Sequence, residues 1–150
     1  MDIGDLLDES LIIAGLKADE KFKAIEALLG LMVSCGKLGQ KSQALEDCIR
    51  REQYLSTGLE NGLAVPHAKT TAVNDLVLAF GYSKNGIEFD SLDGKPAHFI
   101  FLLLSPVNTS GPHIKILSQI TRRFREEDFY NKIFNAETGK EILEILKSSD

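Results

Sequence analysis

Three histidines are the residues of this chain best suited to chemistry, and two of them stand where the chain should change direction. His67 lies in the stretch STGLENGLAVPHAKT, residues 56–70, directly after Leu63-Ala64-Val65-Pro66. A core-strand histidine normally sits inside an alternating apolar pattern. This one follows a proline at which the chain must leave the strand, and Ala68 crowds it little. A ring so placed is available for chemistry, although a plain turn residue would fit the same pattern. His113 follows Pro112, and proline suits the first helical position, so His113 falls in the first turn of a helix. Free backbone N–H groups and the helix dipole favour an anion there; a partly exposed helix-start histidine fits equally well. His98, after Pro96 and Ala97 and before Phe99, reads as a strand-end residue with its polar tip in water.

The chemistries open to such histidines can be sorted by what else the chain carries. Metal binding would call for a third ligand at helical or hairpin spacing, and neither H-x-x-x-H nor H-E-x-x-H occurs. A serine hydrolase would carry G-x-S-x-G, which is absent. There is no Walker loop and no glycine fingerprint opening a helix, so no metal and no cofactor is expected. What remains is a histidine acting as nucleophile toward phosphorus. That needs a neutral ring nitrogen, a hydrogen bond fixing the tautomer, and cationic donors for the phosphoryl oxygens. His113 and Arg51 are candidate donors, the arginine offering a planar fork that suits phosphate. Arg51 would equally complement the dipole at a helix C-terminus.

The elements that must position these residues alternate along the chain. Residues 11–14 form a short apolar run of strand type. From 18 to 35, Phe22, Ile25, Leu29, Met32 and Val33 recur at helical spacing, with Asp19 as a candidate N-cap and Gly36 as a left-handed stop. Ser42 should open a second helix that carries Arg50, Arg51 and Glu52 in its last turns. Residues 57–62 read as a loop and Leu63 to Val65 as a short buried strand. The near-continuous apolar runs 76–81 and 99–104 suit strands buried on both faces. Between them residues 86–89 alternate and 92–96 form a turn. Three helices close the chain: one after Ser110, a short one from the acidic run 126–128, and one with Thr138 and Glu141 in capping-box spacing. The expectation is a single α/β domain over residues 1–150, a mostly buried mixed sheet of about five strands with helices on both faces.

Composition bounds the function. With 150 residues, 43% of them hydrophobic, the chain can bury one substantial core. Seventeen basic against 22 acidic residues give a net charge of −5, which argues against general nucleic-acid binding. No run approaches a membrane span, and the N-terminus lacks the pattern of a signal peptide. Cys35 and Cys48 have no metal or redox spacing and read as reduced thiols, so a cytoplasmic location is expected.

Arg51-Glu52, Ser56-Thr57-Gly58-Leu59 and the run from Asn61 to Ala68 together resemble the phosphorylation-site region of bacterial phosphotransferase-system enzyme IIA proteins. The branch is the fructose–mannitol type, which includes the nitrogen-regulatory IIA proteins. The resemblance continues through His113 to Leu117 and upstream to Asp5-Leu6-Leu7, covering essentially the whole chain. It implies that His67 takes a phosphoryl group from the phosphocarrier HPr and delivers it to a cysteine of a IIB component, and so to a sugar. In the regulatory branch, phosphorylation state instead modulates protein partners. It further implies that His113 and Arg51 stabilise phosphoryl charge, while Thr57 and Asn61 shape the loop without a chemical step. The family usually has glycine at the position of Glu60; if that glycine needs positive φ, Glu60 introduces strain. No motif names a sugar.

Overall fold

The computed structural model describes residues 2–148. In chain order the helices are α1 (Ile3–Leu6), α2 (Lys21–Ser34), α3 (Lys41–Tyr54), α4 (Gly111–Arg123), α5 (Glu127–Asn135) and α6 (Gly139–Lys147). The strands are β1 (Ile12–Ile13), β2 (Leu63–Ala64), β3 (His67–Lys69), β4 (Val77–Ile87) and β5 (Ala97–Ser105).

The two long apolar runs make the centre. β4 and β5 pair antiparallel, with Phe80 opposite Phe101 and Tyr82 opposite Phe99. β1 runs parallel to β4, and β2 and β3 run parallel to β5, giving a mixed five-stranded sheet. Residues 86–89, expected as a separate segment, begin inside β4, which continues through a register shift between Tyr82 and Ile87. Gly86 makes the irregularity possible at φ +81, and the His98 ring fills the space beneath it. His98 is therefore not simply a strand end in water, because its Nδ1–H donates to the Ser83 carbonyl at 2.8 Å.

Both faces of the central pair are covered, as uninterrupted apolar strands require. Side chains alternate between faces. Phe80, Tyr82, Phe99 and Phe101 share the face closed by Phe124 after α4 and by Phe129 and Tyr130 of α5, with ring centroids 5.1–5.7 Å apart in the pairs around Phe124 and between Phe99 and Tyr130. α2 also packs against β4 and β5, burying Ala24, Ile25, Leu28, Leu29 and Met32 completely. Gly81 lacks the side chain that would collide with Leu16 there, a Cβ at that position lying 2.7 Å from Leu16 Cδ2.

Local chemistry sets the boundaries. The N-cap of α2 is Glu20, not Asp19, its carboxylate accepting from the N–H of Phe22 at 2.6 Å. Gly36 does end the helix in the left-handed region (φ +73), with Lys37 N–H bonded to Met32 O and Gly36 N–H to Val33 O. α3 starts at Lys41 without a side-chain cap, one residue ahead of Ser42. The apolar run at 11–14 yields only two strand residues, because Asp8 caps a 3₁₀ turn at Glu9–Leu11 just before it. Thr138 caps α6 through the N–H of Glu141, as the spacing predicts. Among the described residues no helix is long and apolar enough to cross a membrane.

Candidate functional site

β2 and β3 hold the same register against β5: Leu63 faces Phe99 and His67 faces Leu103. They are one edge strand, interrupted at Val65 and Pro66. His67 thus begins a second strand segment and does not mark a strand exit. Proline tolerates this place because an edge strand asks no donor of it, and its carbonyl still accepts from Leu103 N–H at 3.1 Å. In the gap, the Val65 carbonyl is released from the sheet and turns to the His67 ring, 2.7 Å from Nδ1.

A carbonyl only accepts, so the His67 proton sits on Nδ1 and the lone pair on Nε2. Burial is the main force holding the His67 pKa below its ordinary value, and the nearby Arg51 charge adds to it against the opposing pull of the Val65 bond and Glu52. The ring is neutral at pH 7. It is a nucleophile with its tautomer fixed.

Register decides what stands beside it. Lys69 pairs with Ser105 two residues along, and alternation puts His67, Lys69, Leu103 and Ser105 on one face. The first turn of α4 closes on that face. His113 is 6% exposed, its Nδ1 hydrogen-bonded to the Ser105 hydroxyl and its ring edge-on to His67 with centroids 5.2 Å apart. Burial first, then the charges of His67, Lys69 and Arg51, push its pKa down to about 4. Gly111 rather than Pro112 takes the first helical position, and the Ser110 hydroxyl does not cap the helix. It accepts from Lys69 Nζ instead, at 3.1 Å. The first-turn amides of α4 are thereby left without a side-chain acceptor, an arrangement that favours an anion.

α3 packs against β3 and supplies the opposite wall. Arg50, Arg51, Tyr54 and Asp47 line an open cleft of about 520 Å³ together with His67, Lys69 and His113. Arg51 serves its helix as well, donating from Nη1 to the carbonyl of Leu55 at 2.7 Å. Glu52, the next residue, points inward and accepts from the Thr57 N–H and hydroxyl, with Lys21 3.4 Å away. This fixes the loop leading to β2. Thr57 is buried in that contact and Asn61 is exposed, and neither lines the cleft. Glu60 causes no backbone strain: positive φ falls on Asn61 (60°) and Gly62 (76°), and the Glu60 side chain is exposed.

The cleft therefore gathers His67, His113 and Arg51 and leaves His98 at the β4 irregularity. Lys69, Ser105 and Glu52 were not singled out as chemical residues by sequence reasoning. Lys69 had a signal, since a strand through His67 puts residue 69 on the same face; Ser105 and Glu52 gain their places only through tertiary pairing. A fixed neutral nucleophile, a second neutral imidazole and three basic side chains against one carboxylate, Asp47, in a cleft of a chain with net charge −5 can accept an anionic electrophile.

A fructose-specific EIIA component of the phosphotransferase system from Haloferax volcanii is 36% identical, over 97% of this chain and 94% of that protein. A fructose-specific EIIABC component from Bacillus subtilis is 32% identical over all of this chain, which spans 24% of that longer protein. The crystal structure of nitrogen regulatory protein IIA-Ntr from Neisseria meningitidis superposes with a TM-score of 0.88 at 29% identity, covering 97% of this chain and 99% of that one. The family model for the phosphoenolpyruvate-dependent sugar phosphotransferase system, EIIA 2, matches residues 5–149, and the chain belongs to that family.

Proposed function

We propose that this protein is a phosphocarrier that receives a phosphoryl group on His67 Nε2 from an HPr-type carrier and passes it to a IIB component of a sugar transporter. The observation that carries the reading is the Nδ1–H bond to Val65, which leaves Nε2 as the ring's free nucleophile at the cleft. In the forward step the Nε2 lone pair forms the new N–P bond while the donor's N–P bond breaks, its electron pair returning to the donor imidazole. The Nδ1 proton stays on His67, stabilised by the Val65 carbonyl as the ring gains charge. In the onward step a thiolate of IIB attacks phosphorus and His67 leaves as neutral imidazole. Arg51 and His113 offset the charge spread over the phosphoryl oxygens, so catalysis is mostly positioning and electrostatics. The name of the Bacillus relative, which joins A, B and C components in one chain, supports IIB as the acceptor. The reading implies a cytoplasmic protein.

The likeness to a nitrogen regulatory IIA at a TM-score of 0.88 favours a second reading. There the same phosphorylation chemistry sets which partner proteins are bound, and no sugar is the destination.

Incubation with phosphoenolpyruvate, enzyme I and HPr should add one acid-labile phosphate, on His67. His67→Ala should abolish it. His113→Ala should slow transfer about 100-fold, the usual cost of a lost charge-stabilising donor, and leave His67 phosphorylatable. Phosphate on His98 or His113 in the wild-type protein would overturn the assignment. Onward transfer to a IIB thiol favours the transport reading, and its absence with partner binding that follows phosphorylation favours regulation.

A further inference from the structure

The bond between Ser105 and His113 determines more than where a ring sits. Ser105 is the last residue of β5 and is completely buried, and among the described residues its hydroxyl has one hydrogen-bond partner, His113 Nδ1. Two proton placements are open to such a pair. If the imidazole donated from Nδ1, the hydroxyl proton would be buried with nothing to receive it, and His113 Nε2 would offer a lone pair beside an incoming phosphoryl oxygen. If the hydroxyl donates, both groups are satisfied and the ring's one proton lies on Nε2. The ring has only one to place, because it is buried, the charges of Lys69 on β3 and Arg51 on α3 disfavour a second proton, and the neutral His67 ring stands at its edge.

We propose that Ser105 is a positioning residue for phosphoryl transfer, its buried hydroxyl donating to His113 Nδ1 and so holding His113 as the Nε2–H tautomer beside His67. The two histidines then carry opposite tautomers. His67 is protonated on Nδ1 by virtue of Val65 and is the nucleophile; His113 is protonated on Nε2 by virtue of Ser105 and is the donor. One side-chain type fills both roles because each ring is tied to a different kind of partner, a carbonyl that only accepts and a hydroxyl with a proton to give. Lys69 stabilises the arrangement indirectly. Its ammonium, on the same face and paired with Ser105 across the sheet, disfavours a second proton on His113. The role in transfer rests on the phosphocarrier reading of His67, but the tautomer itself exists without any phosphate.

Long-range proton–nitrogen correlation spectra of the ¹⁵N-labelled, unphosphorylated full chain at neutral pH read both rings directly. The expected pattern is protonated Nε2 and bare Nδ1 for His113, and the reverse for His67. A His113 ring protonated on Nδ1 overturns the proposal. Ser105→Ala should move the two His113 nitrogens toward averaged shifts and slow phosphoryl acceptance about three- to tenfold, the worth of one hydrogen bond. Ser105→Thr, which keeps the hydroxyl, should restore both. Unchanged shifts and rate in Ser105→Ala overturn the proposal too, and if that variant does not fold the wild-type spectrum still decides. A protein that shows the expected tautomers yet takes no phosphate on His67 would refute the phosphocarrier reading and leave the tautomer assignment standing.

Discussion

The carboxylate of Glu52 binds Thr57 twice, accepting its backbone N–H at 2.9 Å and its hydroxyl at 2.6 Å. The same side chain is buried, 1% exposed, at the end of α3, with Lys21 of α2 at 3.4 Å. One residue beyond Arg51, it ties the helix that walls the cleft to the loop that leads to β2.

Glu52→Ala would leave the Thr57 N–H and hydroxyl without their acceptor and take from Lys21 one of its two carboxylate partners, Asp90 at 3.0 Å being the other. The expected cost is about 3 kcal/mol, the usual range for breaking such a buried network. Glu52→Gln should lose less, because its amide keeps one acceptor for the Thr57 N–H. Urea denaturation measures both; a loss below about 1 kcal/mol in the alanine variant would contradict the role.

What the sequence could and could not disclose follows from how far each signal reaches. α2 was legible because its apolar spacing and Gly36 act within one helix. β4 and β5 were legible because burial on both faces leaves continuous apolar runs. His67 reads as a strand exit in the sequence, since only the pairing with β5 reveals that residues 63–64 and 67–69 keep one register across the break. The 3₁₀ turn before β1 shortened that strand for a local reason, Asp8, that apolar patterning does not weigh. His67, His113 and Arg51 could be selected by side-chain chemistry and motif. Ser105 could not, because a serine ending an apolar run acquires meaning only from the ring it meets; Glu52 stands in the motif beside Arg51, but its role shows only in the loop it meets.

Acid should weaken the fold through the cleft. Burial holds His113 neutral down to about pH 4 and lowers the His67 pKa as well. The unfolded chain binds these protons near the ordinary histidine value of about 6.5, and the folded chain does not. The contribution of His113 is therefore complete above about pH 6.5 and is lost as pH falls toward about 4, and that of His67 is lost in the same direction. For His113 the loss is on the order of 3 kcal/mol across that window. His113→Asn should flatten the slope of denaturation free energy against pH; equal slopes in variant and wild type would contradict this.

The loop before β2 gives a paired prediction. A side chain at Gly58 would meet Ser91 Oγ at 2.6 Å and Phe89 Cβ and O at 2.9 Å, so Gly58→Ala should cost about 1–3 kcal/mol by overpacking. Glu60 has no positive φ to relieve. Glu60→Gly should accordingly give no gain and lose about 0.5 kcal/mol through the greater freedom of the unfolded chain. Thermal melts of the two variants check both, and a stabilised Glu60→Gly protein would show that the loop is strained after all.

The strand residues next to His67 offer little apolar surface, because Leu63 and Val65 are buried. The rim is supplied instead by Tyr54, 85% exposed at the end of α3, and Ile114, 61% exposed beside His113. Tyr54→Ser and Ile114→Ser should each raise the KM for the phosphorylated carrier about tenfold, as removal of an interface anchor does, with kcat and Tm nearly unchanged. A fall in kcat at constant KM would place these residues in the chemistry and not in docking.

The break at Val65 and Pro66 has a consequence for the solubility of the molecule. Sheet edges are templates on which other chains can add a strand and aggregate; along β2 that edge is already taken, with Leu59 N–H bonded to the Leu63 carbonyl and Val65 N–H to the Thr57 carbonyl, which leaves a proline without an N–H and the three residues of β3. The opposite edge, β1, is two residues long. Neither presents an unbroken ladder of free donors and acceptors long enough to recruit a copy of itself. The irregularity that turns a carbonyl toward His67 thus also denies polymerisation a starting surface, and a variant that mended the strand, Pro66→Val, should acquire a tendency to self-associate along with a mispositioned ring.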